Sequence, residues 1–131
     1  SERLETLCSS VSSLIESSSV PVGEIAKDKK EISKFFYQLA SRVEKEPKII
    51  ETTGDFREFN SKSGQIYFAG ESIKDKYPGL GKKIDEIILL EIGSEDVNLS
   101  DDKRAKLVEV LRAISWVLDS QKKLDKEIST D

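Results

Sequence analysis

Lys76 to Gly93, KYPGLGKKIDEIILLEIG, decides the fold. Pro78, Gly79, Leu80 and Gly81 stand directly in front of a run in which Ile84, Ile87, Ile88 and Ile92 recur at three- and four-residue spacing. That spacing puts the four isoleucines on one face of a helix, with Leu89 and Leu90 widening the face and Gly93 placed to end it. Proline and glycine allow the chain to reverse within a few residues, and Leu80 between the glycines is an apolar anchor. With a short helix over Glu71–Lys76 in front, the pattern is that of a helix-hairpin-helix. The first N–H groups of the second helix have no acceptor inside the helix and lie at the positive end of its dipole. The turn therefore predicts an anion site built on Gly79 and Gly81, with Lys76, Lys82 and Lys83 adding charge. A nucleic-acid phosphate is the natural ligand, and such a contact grips a backbone without reading bases. A compact connection between two core helices with no ligand is the competing reading of the same residues.

Working outward, Leu4, Leu7, Val11, Leu14 and Ile15 mark a helix over residues 1–17, which Ser17 to Ser19 and Pro21 end. A second helix carries Ile25, Ile32, Phe35, Phe36, Leu39, Ala40 and Val43 on its apolar face and closes at Pro47. Between Pro47 and Gly70 the periodicity fails. Broken helical turns are one reading there, and a short β-hairpin near residues 56–68, joined over Asn60–Gly64, is the alternative. Beyond Gly93 comes a polar loop. Ser100 then reads as a helix N-cap followed by Asp101 and Asp102, and Leu107, Leu111, Ile114, Leu118 and Gln121 form the inner stripe of a last helix. The expectation is a mostly α, single-domain bundle of about five helices spanning 1–131, with the Ile84–Ile92 helix near the middle and the first and last helices packed over it.

Composition bounds the function. The chain has 131 residues, 37% hydrophobic and 35% charged, which describes a globular domain large enough to bury a core without staples. A net charge of −4 argues against a strong non-specific polyanion binder. With one cysteine and no histidine, neither a zinc site nor an internal disulfide can be built, and no resident cofactor is expected. The longest apolar run, Ile87 to Leu90, is far too short to span a bilayer, and the serine-rich amino end has no signal-peptide core. The expected location is intracellular, with no membrane partner. The absence of methionine, even at the start, is the expectation for an excised fragment or a processed product, so the chain reads as one domain of something larger.

PGLGKKIDEII resembles the helix-hairpin-helix of the amino-terminal, eight-kilodalton domain of family X DNA polymerases, over about 18 residues from Lys76 to Gly93. The resemblance implies a DNA phosphate held by backbone amides at Gly79, Gly81, Lys82 and Lys83, with a monovalent cation on the carbonyls of the 79–81 turn. The lysine that performs lyase chemistry in several members would fall at Ile87, so no lyase activity is implied. Asp85 stands where the hairpin pattern prefers a small residue. No paired catalytic aspartates occur in a strand context, and the expectation is a non-enzymatic, sequence-independent nucleic-acid-binding domain.

Other clusters have plainer readings. Lys27, Lys29, Lys30 and Lys34 interleave with Glu24, Asp28 and Glu31, which predicts a solvated face laced by i to i+4 ion pairs. Cys8, without a histidine to act as base, reads as a buried apolar residue. Asp96, Asp101 and Asp102 lack the spacing of a calcium loop and read as capping groups. The heptad-like faces Leu4–Leu14 and Leu107–Leu118 could each receive a partner chain, so a protein-interaction or scaffold domain is the alternative function; packing on each other is the competing reading.

Overall fold

In the computed structural model, which describes residues 2–45, 67–68, 71–93 and 100–119, four helices form one bundle. α1 (Glu2–Glu16) buries Leu4, Cys8, Val11 and Ile15. It ends where the serines compete for its carbonyls: Ser17 Oγ donates to Leu14 O at 3.1 Å. α2 (Val22–Lys45) starts on the Pro21 carbonyl, which accepts the N–H of Glu24 at 2.9 Å and of Ile25 at 3.0 Å. It buries Ile25, Ile32, Phe36, Ala40 and Val43.

α3 (Leu80–Ile92) ends as glycine chemistry dictates. Gly93 adopts φ 71°, in the left-handed region, and its N–H donates to Leu89 O at 2.7 Å. α4 (Asp101–Leu118) begins at Ser100, whose hydroxyl accepts from Lys103 N at 3.3 Å, with Asp101 and Asp102 in the first turn. Both ends match the sequence reading.

Two expectations change. The segment Glu71–Lys76 is not one short helix. β1 (Tyr67–Phe68) pairs antiparallel with β2 (Glu71–Ser72), Tyr67 opposite Ser72, and only Ile73–Lys76 forms a single helical turn. The described residues thus hold four full helices and one single-turn helix. The rest of the 56–68 hairpin expectation, with Pro47, Gln121 and Asp96, lies outside the described residues.

The central element also differs. α1 and α4 both pack on α3 as expected, but the contact of α4 with α2 is the most extensive in the bundle, and α4 packs on all three other helices. The reason lies in its face: Leu107, Val110, Leu111, Ile114 and Leu118 are joined by Val108, Ala113 and Ser115, so α4 is buried over a wide arc with small residues where neighbours approach. α3 instead leaves Leu89 and Leu90 exposed. At its far end Glu91, with a side chain only 6% exposed, lies 3.8 Å from Arg3 Nε and 3.5 Å from Lys106 Nζ, tying α3 to α1 and α4.

The 77–81 turn as a candidate anion site

Residues 77–80 make a β-turn closed by Leu80 N–H donating to Tyr77 O at 3.1 Å. Pro78 occupies its second position and Gly79 its third, at φ 86°, ψ −9°. These are the residues and angles of a type II turn, in which the third position needs positive φ. Only Gly79 uses glycine's freedom in this way. Gly81 is an ordinary, buried helical residue. A Cβ at Gly79 would meet Leu14 Cδ1 of α1 at 3.9 Å, so the turn rests against the first helix. Leu80 is fully buried, as its place between the glycines predicts.

Gly79 O accepts the first helical N–H, from Lys83 at 3.0 Å. Leu80 N–H is taken by the turn. The N–H groups of Gly81 and Lys82 make no backbone hydrogen bond among the described residues, and no side chain caps this end. The first turn holds no acid; it holds Lys82, exposed, and Lys83, which lies 3.5 Å from Glu86. α4 differs, with a serine cap and two aspartates as its first two residues. Two lysines at an uncapped N-terminus oppose the helix dipole, an arrangement that an anion would relieve.

Lys76 is placed elsewhere. Its ammonium lies 2.8 Å from Asp28 Oδ2 and 3.8 Å from Glu24 Oε2, both on α2, and its side chain is 12% exposed. The Tyr77 hydroxyl donates to the same Asp28 oxygen. Burial, then the hydrogen bond to Asp28, push the Tyr77 phenol well above the usual tyrosine range. Lys76 and Tyr77 thus clamp the turn to α2 through Asp28, and Lys76 is not presented beside Lys82 and Lys83.

That clamp was missed in the sequence, although a signal for it exists. Asp28 stands between Ile25 and Ile32 at the spacing of the inner stripe, so an acid there faces the core and requires a buried partner. The lysine cluster on α2 also departs from expectation. Lys29 pairs with Glu16 of α1 at 2.7 Å, while Glu24 and Asp28 serve Lys76, so the expected ladder of ion pairs along α2 does not form.

The remaining candidates carry less. Ile87, at the position of the family's lyase lysine, is buried in the core. The described residues contain no group of three acids, cysteines or histidines placed to hold a metal, and no helix among them is long and apolar enough to cross a membrane. The faces Leu4–Leu14 and Leu107–Leu118 are turned into the bundle, with Leu7 and Leu14 partly covered. A cavity of about 390 Å³ lies between the end of α2 and α4, lined by Val108, Trp116 and the Arg112–Glu44 pair, 3.2 Å apart, among others.

Cys8 is fully buried, and its thiol is pushed up to about 12, first by burial and then by the Glu91 and Glu5 carboxylates. The native protein is therefore expected to resist thiol reagents at pH 8, with labelling that follows global unfolding; fast labelling in native buffer would contradict the buried placement. The linkage has a definite sign. A thiol pKa raised on folding contributes stability that is complete below about pH 9 and is lost as pH rises towards about 12.

Comparison with known proteins returned no matching family model, no matching curated protein and no matching solved structure.

Proposed function

We propose that this chain is a non-enzymatic, sequence-independent nucleic-acid-binding domain that grips a phosphate at the 77–81 turn in the manner of a helix-hairpin-helix. The observation that carries the reading is the uncapped start of α3, where Gly81 and Lys82 N–H groups lack backbone acceptors and Lys82 and Lys83 supply the only first-turn charge. Gly79, Gly81, Lys82 and Lys83 form the site, and Lys76 contributes by fixing the turn on Asp28. A monovalent cation on the turn's carbonyls belongs to the same proposal. Gly79 O would be one donor, since it accepts the Lys83 N–H and retains a second lone pair.

The direct test is a ¹⁵N chemical-shift titration with a short gapped duplex at about 50 mM salt. The expected result is shifts concentrated at the amides of Gly79, Gly81, Lys82 and Lys83. Shifts absent from that turn would contradict the reading.

A protein-interaction or scaffold role is the second reading. Leu89 and Leu90, 40% and 58% exposed on α3, favour it, because the two heptad-like faces are occupied within the bundle.

A further inference from the structure

The solvent face of α2 carries a second feature that the turn does not explain. Lys27, Lys30, Lys34 and Lys45 fall within about a quarter of the helix circumference at 3.6 residues per turn. They run for about 27 Å at 1.5 Å per residue. All four are exposed, and none forms an ion pair among the described residues.

The physical cause is the distribution of α2's acids. Glu24 and Asp28 are drawn to Lys76, and Glu44 to Arg112 of α4. Only Glu31 stays at the margin of the stripe, exposed and outside any ion pair among the described residues. The neutralisation that acids interleaved along α2 would supply is thus carried to other elements, and a row of lysines is left facing water in a chain of net charge −4. Tyr37, 44% exposed, stands on the edge of the same arc between Lys34 and Lys45.

We infer that this stripe is a contact surface for the phosphodiester backbone of a nucleic acid, separate from the 77–81 turn. The charge is complementary, and its linear arrangement suits a linear polyanion. A membrane surface fits less well. A helix lying on lipid needs an apolar face, and α2's is buried, with Ile32, Phe36, Ala40 and Val43 in the core. Tyr37 adds a ring on which an unpaired base can stack.

Anisotropy titration of a labelled single strand and a duplex of about 20 nucleotides, at about 50 to 200 mM salt, tests this. Wild type and a Lys27→Arg, Lys30→Arg, Lys34→Arg variant are expected to bind alike. The corresponding Lys→Gln triple variant is expected to lose about tenfold or more at the lowest salt. On the single strand its log–log salt slope should be shallower by about 2, three phosphates at roughly 0.7 each. Tyr37→Ala should weaken the single strand about fivefold or more and leave the duplex unchanged. Equal binding by wild type and the Gln variant, failure of the Arg variant, or binding to phosphatidylserine vesicles in place of nucleic acid would each overturn the inference. A Lys82→Glu, Lys83→Glu protein measured in parallel leaves the stripe intact, so loss in one variant alone shows which surface has failed.

Discussion

Asp28→Ala is expected to destabilise the domain by about 3–5 kcal/mol, the cost of removing one member of a buried ion pair. The Asp28 and Lys76 side chains are 5% and 12% exposed, so neither is rescued by water in the native state. Without Asp28 the Lys76 ammonium loses the acid 2.8 Å away and is left with Glu24 at 3.8 Å on α2, and the Tyr77 hydroxyl loses its acceptor. For a domain whose total stability is of the order of 5–15 kcal/mol, this is a large fraction. Replacing the cluster together, as Asp28→Leu, Lys76→Met and Tyr77→Phe, is expected to recover most of the loss, because no charge is then stranded in the core. Urea unfolding of the three proteins measures both effects. A loss below about 1 kcal/mol for Asp28→Ala would show that the cluster is not buried as described.

Ser115→Leu carries the second large effect. Where α2 crosses α4, Ser33 and Ser115 are both fully buried. Ser33 Oγ donates to Ser115 O at 2.8 Å, and Ser115 Oγ donates to Ser33 O at 2.7 Å. The hydroxyl oxygens are 3.0 Å apart, so two helix backbones meet through side chains of one heavy atom beyond Cβ. A leucine there has no space without separating the helices, and it removes a hydrogen bond to Ser33. We expect a loss of about 3 kcal/mol or more from overpacking and the lost bond together. Ser115→Ala removes the hydrogen bond alone and should cost about 1 kcal/mol. Thermal or urea unfolding that ranks alanine as severe as leucine would show that polar pairing, not close approach, holds this crossing.

These two clusters also mark the boundary of what the sequence discloses. The helices were legible because apolar spacing, Ser100 with Asp101 and Asp102, and Gly93 are local signals read within a few residues. Leu80 as an anchor and Pro78-Gly79 as a turn were legible for the same reason. Partner choice was not. Glu24 has Lys27 three residues on along its own helix and Asp28 has Lys27 and Lys29 beside it in sequence, yet both acids pair with Lys76, some 50 positions later in the chain. The central place of α4 was hidden because its burial depends on Ala113 and Ser115, small residues whose value appears only when another helix is laid against them. At the candidate site, the sequence supplied Gly79, Gly81, Lys82 and Lys83, while the role of Lys76 followed from Asp28, a tertiary contact.

We propose that the start of α3 grips a nucleic-acid phosphate. The most direct test is titration of labelled duplex and gapped DNA at about 50 mM salt with wild type and a Lys82→Glu, Lys83→Glu double variant, after confirming equal folding by circular dichroism. Wild type is expected to bind both DNAs, with binding that weakens steeply as salt is added, and the double variant is expected to bind at least about tenfold more weakly. Equal binding by the two proteins, or no binding by either, would contradict it.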